Sequence, residues 1–141
     1  ELVVRRLGTP DAAAVTGDRS VAVRVDAYAF DSAFGELLAN AGKYAAPTTR
    51  PAVSVQRVRG VGPAAASFAS VRVRNDVPRG VTLDVDAVFE RQYRGELDEA
   101  LPGEGMGLAL ARTFVHRMGG TIGATLEKGV FEVWIRLPAD A

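Results

Sequence analysis

The sequence predicts a two-layer α/β sandwich, with a mixed, mostly antiparallel sheet of about five strands and about three helices on one face. Two observations carry that expectation. Pairs of alternating apolar segments lie close enough in the chain to fold as hairpins, at residues 52–73 and 121–137. Two further stretches, residues 30–44 and 108–118, place their apolar residues at helical spacing.

The 141 residues suffice for one domain around one core, so residues 1–141 are expected to form a single unit. With 17 basic and 17 acidic side chains the formal charge is zero, which argues against a dedicated nucleic-acid or membrane-surface binder. Cysteine is absent, which excludes disulfides and thiolate metal sites, and the single histidine, His116, excludes a histidine-cluster metal site. No apolar run is long enough to span a bilayer, and no signal peptide is evident. The first residue is glutamate, so the chain is read as either a fragment of a longer protein or a free-standing domain.

Taken in order, residues 1–7 read as a short strand, 8–11 as a turn and 12–20 as loop. Val21, Val23 and Val25 alternate with Ala22 and Arg24, which predicts a strand. Asp26 is placed to cap a helix. In that helix Phe30, Phe34, Leu37, Leu38 and Ala41 share one side. Glu36, Asn40 and Lys43 share the other, with Tyr44 at the seam. Asparagine competes with its own backbone and is a poor helix former, so Asn40 in mid-helix asks for a reason.

A connector follows at residues 45–51. Residues 52–59 read as a strand whose phase slips at Val58, which suggests a bulge. After a turn at Gly60, Ala69, Val71 and Val73 alternate with Ser70, Arg72 and Arg74, a strand with one buried and one wet face. Asn75 to Val81 is turn-like. Phe89 and Tyr93 lie one helical turn apart. Residues 96–102 are acidic and unpatterned. Gly103, Gly105 and Gly107 then enter an apolar-periodic stretch (Leu108, Ala111, Phe114, Val115, Met118) closed by Gly119 and Gly120. Alternate glycines at a helix start leave backbone N–H groups open to an anion. The spacing is not that of a P-loop, and no first strand precedes it as in a dinucleotide fingerprint. The closing hairpin turns at Lys128-Gly129, with Phe131, Val133, Ile135 and Leu137 on its buried face.

Four of these stretches, in order, resemble the motifs of the Bergerat-fold ATPases, the gyrase, heat-shock chaperone, mismatch-repair and sensor histidine kinase group. Glu36-Leu37-Leu38-Ala39-Asn40-Ala41-Gly42-Lys43-Tyr44 is similar to the N box in its histidine kinase form. Asn75-Asp76-Val77-Pro78-Arg79-Gly80-Val81 resembles the G1 box, with Pro78 where a glycine is usual. Val88-Phe89-Glu90-Arg91-Gln92-Tyr93-Arg94-Gly95 resembles the F box that marks histidine kinases. Gly103-Glu104-Gly105-Met106-Gly107-Leu108 resembles the G2 box.

The resemblance implies a nucleotide held between the helices and an ATP lid at about residues 93–106. It gives Asn40 to Mg²⁺, Lys43 to a phosphate, Tyr44 a place against adenine, and Glu36 the task of polarising the attacking group. Gly103, Gly105, Gly107 and Leu108 would bind phosphates. Asp76, with Gly80 and Val81, would read the base; Asn75 is the alternative for that position. The cofactors implied are ATP and Mg²⁺. The function implied is donation of the γ-phosphoryl group to a histidine outside this chain, on a dimerising helical domain, with a response regulator downstream. His116, inside the last helix, is not the acceptor. The implied location is cytoplasmic, without nucleic acid and without direct membrane contact from this domain. Two rival readings are an anti-sigma-factor type serine kinase, which the F box opposes, and a degenerate partner-binding module, which the altered G1 box favours.

Overall fold

The structure, a computed structural model, describes residues 14–17, 21–47, 49–60, 66–80, 84–89 and 107–139. The elements are β1 (Ala14–Gly17), α1 (Ala27–Tyr44), β2 (Ala52–Arg59), β3 (Ser67–Asp76), α2 (Gly107–Arg117), β4 (Thr121–Glu127) and β5 (Val130–Pro138). The sheet has five strands in the order β1-β2-β3-β5-β4. Only the β1–β2 pair is parallel; the other three pairings are antiparallel. Both helices pack on one face, where Phe30, Phe34 and Leu37 of α1 and Ala111 and Val115 of α2 join Val53, Val71, Val73, Val133 and Ile135 in one core. The expected two-layer architecture is therefore present.

α1 starts where Asp26 caps it: the carboxylate accepts from the backbone N–H of Tyr28 (2.8 Å) and of Ala29 (3.3 Å). Its apolar face is fully buried at Ala33 and Phe34, and nearly so at Leu37 and Ala41. α2 ends in a Schellman motif. Gly120 N–H donates to Val115 C=O (3.0 Å) and Gly119 N–H to His116 C=O (3.0 Å), with Gly119 at φ +76°. The β4–β5 hairpin turns through Lys128 (φ 50°) and Gly129 (φ 76°), the two positive φ values of a type I′ turn, whose twist matches that of the strands it joins.

Several expectations change. Residues 12–20, expected as loop, contain β1, which pairs Ala14–Gly17 with Ala52–Val55. Its small residues give no apolar alternation, so backbone pairing with β2 decides it. Residues 21–25 do show the expected alternation of half-buried and exposed side chains, yet among the described residues their pairing is confined to a bridge between Val23 and Ala139. β5 is paired by β3 through Pro138 and by β4 through Arg136, so the bridge forms just past that end of the strand. The β2–β3 register runs unbroken from Ala52↔Arg74 to Arg59↔Ser67, so the bulge expected at Val58 does not form. β3 is longer than expected, and Ser70, on its expected wet face, is buried. Among the described residues there are two helices rather than about three. Residues 84–89 form a turn closed by Asp84, whose carboxylate accepts from the N–H of Asp86 (3.0 Å) and Ala87 (3.3 Å). The strand expected at residues 1–7 lies outside the described residues. No helix among the described residues is long and apolar enough to cross a membrane.

Because Phe34 is wholly enclosed between helix and sheet, Phe34→Ala is expected to lower the unfolding free energy by about 3–5 kcal/mol, read from urea titration. Asp26→Ala, which removes only the cap, is expected to cost about 1 kcal/mol in the same assay.

Candidate functional site

The two helices run antiparallel. Near its middle α1 meets the start of α2, and near its start it meets the end of α2. The first contact is Glu36 against Gly107: a Cβ placed on Gly107 would lie 2.7 Å from Glu36 Oε2. The second is Tyr28 against Phe114, edge to face at 6.2 Å between ring centres. Burying Phe34, Leu37 and Ala41 on the sheet side turns Glu36, Asn40 and Lys43 away from the sheet. Glu36 is thereby set at the amino-terminal end of α2, and Asn40 follows it one turn along on the same face.

Asn40 Oδ1 is buried and has no hydrogen-bond partner among the described residues. A buried amide oxygen left unbonded is costly in a folded chain, and such atoms call for an explanation. A hard divalent cation that takes oxygen ligands and keeps several waters suits this neutral donor beside a carboxylate. No group of three or more potential metal-ligating His, Asp or Glu side chains occurs among the described residues. Any cation here would therefore need ligands beyond the described side chains, as it does when shared with phosphates.

The far end of α1 meets the end of β3. Ala46 N–H donates to Asp76 C=O (2.7 Å), and Asn75 Nδ2 donates to the same carbonyl (3.2 Å). Tyr44 is buried, its ring edge-on to Phe131 at 6.3 Å, and Lys43 Nζ lies 5.6 Å from the Tyr44 ring centre. Phe131 is in register with Asn75. Asn75, Tyr44 and Phe131 are thus gathered on the helix-facing side of the sheet.

Strand parity puts Asn75 and Asp76 on opposite sides of the sheet. Asn75 continues the Val71, Val73 series and is only 3% exposed, whereas Asp76 falls on the opposite parity and is exposed. The Asp76 carboxylate is thus on the side away from the helices and the Asn75 amide on the side facing them. Gly80 takes φ +83°, a conformation that favours glycine. Pro78 precedes it in a turn, and Val77, at 8% exposure, packs with the core and donates its N–H to Gly129 C=O (2.9 Å). The Leu108 side chain is buried in the core, which leaves its backbone as the group a ligand can meet. Phe89 of the F-box stretch is buried in the core beside Val88. Val81, Gly103, Gly105, Tyr93 and the lid at about residues 93–106 lie outside the described residues. His116 is exposed in the last turn of α2, far along the helix from Gly107.

A groove of about 350 Å³ lies at the other end of the helix pair, lined by Arg24, Val25, Tyr28, Phe114, Arg117 and Met118. It is displaced from the Glu36–Gly107 contact by about 12 Å, the rise of eight helical residues.

Residues 25–141 match the family model for histidine kinase-, DNA gyrase B- and HSP90-like ATPases, and the chain belongs to that family. Among curated relatives it is similar to the probable sensor protein PcoS of Escherichia coli, 27% identical over 77% of this chain and 22% of that protein. It is also similar to the sensor protein IrlS of Burkholderia pseudomallei, 32% identical over 84% of this chain and 25% of that protein. The chain thus spans about a quarter or less of the length of these relatives. In fold it resembles the mycobacterial sensor histidine kinase MprB, with a TM-score of 0.76 at 23% identity, covering 98% of this chain and 93% of that one.

Because Asn40 Oδ1 has no partner in the fold and alanine is the better helix former, Asn40→Ala is expected to leave the melting temperature unchanged or raised. A drop of several degrees would mean that Asn40 has a structural partner.

Proposed function

We propose that this chain is the ATP·Mg²⁺-binding catalytic domain of a sensor histidine kinase, residues 1–141 acting as one unit. The observation that carries the proposal is the buried, unpartnered Asn40 Oδ1, aligned with Glu36 at the start of α2. Family membership and the relatives' names support the ATP-binding part of the reading. Mg²⁺, when bound, would neutralise phosphate charge. Asn40 Oδ1 would hold it, with the remaining positions left to phosphates and water.

The chain's own residues then do mostly positioning, which is what phosphoryl transfer asks of a protein. Lys43 holds a phosphate. The backbone N–H groups at Gly107 and Leu108 receive another at the helix start, joined by those of Gly103 and Gly105. Asn75 reads the base and Tyr44 packs beside it, with Gly80 and Val81 bounding the turn and the lid covering the nucleotide. Glu36 accepts a hydrogen bond from the acceptor imidazole and orients it for in-line attack. The acceptor histidine belongs to a dimerising helical domain outside this chain, a response regulator takes the phosphoryl group next, and the domain works in the cytoplasm.

Calorimetric titration of the chain with ATP and Mg²⁺ tests the proposal. Binding is expected between tens of micromolar and millimolar, about −4 to −6 kcal/mol. Asn40→Ala should abolish the Mg²⁺-dependent part. No heat at millimolar ATP·Mg²⁺ from the folded wild type would leave a partner-binding module in its place. In the same titration Asn75→Ala is expected to erase most of the preference for ATP over GTP, and Asp76→Ala to leave it intact; the reverse result would return the base to Asp76.

A further inference from the structure

We propose that the outer edge of β4 is a contact surface for a second copy of this chain, which adds its own β4 antiparallel and carries the sheet on from one copy into the other. The inference goes beyond the nucleotide reading and does not depend on it.

The two edges of the sheet are built differently. β1 closes one edge with four residues and ends at Gly17, whose φ of +113° lies outside strand geometry. An edge so short offers little to pair with. β4 forms the other edge, and among the described residues no strand pairs with its outer side. It runs for seven residues, Thr121–Glu127, in unbroken register with β5. It has no proline, no lysine and no bulge, the devices that ordinarily keep a sheet edge from pairing. The backbone groups it leaves open follow from the turn. Glu127 and Val130 flank the two-residue turn and exchange both backbone bonds across it. Thr125, Gly123 and Thr121 therefore bond β5 as well, and Ile122, Ala124 and Leu126 turn their N–H and C=O groups outward. The side chains of those last three residues are half-buried at the margin of the core.

A second copy fits this edge because the strand complements itself. About a two-fold axis at Ala124, Ile122 lies opposite Leu126 of the second copy, Gly123 opposite Thr125, and Thr121 opposite Glu127. Outward-facing backbone groups then meet outward-facing ones, and about six hydrogen bonds form. Apolar side chains meet apolar side chains on the helix side of the sheet. The strand's one charge, Glu127, faces Thr121 rather than another carboxylate. Thr121 is itself in register with Arg136, so the acid of one copy approaches a base of the other. On the opposite face Trp134 lies over Gly123, where a Cβ would collide with the indole, so the ring extends from β5 across the edge strand towards the same contact. A contact one strand long buries less than the roughly 1,000 Å² of a lasting interface, so the dimer is weak and concentration-dependent.

Sedimentation equilibrium of the 141-residue chain, together with residue-resolved hydrogen exchange, tests the proposal. The mean mass is expected to rise towards twice that of the monomer between about 10 μM and about 1 mM. Over the same range the amides of Ile122, Ala124 and Leu126 are expected to exchange about threefold more slowly, while those of Gly123 and Thr125, already bonded to β5, do not change. Thr121 is exposed, so substitution there leaves the core alone. Thr121→Lys sets a base opposite Glu127 and is expected to tighten association by about three- to tenfold; Thr121→Glu sets like charges opposite each other and is expected to weaken it by a similar factor. Ala124→Pro removes an outward N–H and leaves the bonds to β5 in place, so a folded monomer is expected, with folding checked by circular dichroism. If the proline variant does not fold, the Thr121 pair and the exchange rates decide. A monomer at about 1 mM, a dimer that responds to neither Thr121 change, or a dimer in folded Ala124→Pro would overturn the proposal. So would a rise in mass without slower exchange at the three outward amides.

Discussion

The burial of one face of α1 is the constraint on which the rest depends. Phe34 and Ala33 are wholly enclosed, and Leu37 and Ala41 nearly so. A helix held that firmly by its apolar side has no freedom to rotate about its axis, so the opposite face is fixed as well. That is how a packing interaction places Glu36 and Asn40. Glu36 is carried to the first residue of α2. The Asn40 side-chain oxygen, like the buried Ser70 hydroxyl, is left without a hydrogen-bond partner among the described residues, where natural folds satisfy nearly all such atoms.

The antiparallel helix pair gives the domain two ends of different character. Towards one end, Glu36 lies against Gly107 with Asn40 one turn further along α1, and the hydrogen bond from Ala46 to Asp76 ties the end of α1 to the sheet. At the other, Tyr28, Phe114 and Met118 form a groove with Arg24 and Arg117 at its margin. The start of α2, with the positive pole of its dipole, lies at the first end. The exposed His116 sits in the last turn, where an imidazole faces the negative pole.

Much of this was legible in the residues. The amphipathic pattern of α1, its Asp26 cap, the Gly119-Gly120 stop of α2 and the two hairpins are local signals, each with a local physical cause, and each appears in the structure. What was misread depends on pairing at a distance. β1 has no apolar alternation and is a strand because β2 offers it an edge. Residues 21–25 have the alternation but find only Ala139 to bridge. The candidate site shows the same division. That Glu36 and Asn40 share one helix face follows from helix periodicity alone. That Asn75 faces the helices and Asp76 does not follows from the parity of β3, which the sequence held in Val71, Val73 and Asn75. The contact between Glu36 and Gly107 joins two segments 71 positions apart, and no periodicity reports it.

The central claim is that packing of α1 presents Asn40 as a metal ligand shared with a nucleotide. Nuclear magnetic resonance with Mn²⁺ as a paramagnetic substitute tests it most directly, through the Asn40 side-chain amide signals. Broadening of those signals when both Mn²⁺ and ATP are present, with little effect from Mn²⁺ alone, is the result the account predicts. Broadening that spares Asn40 and centres elsewhere, for example on the Tyr28–Phe114 groove, would contradict it.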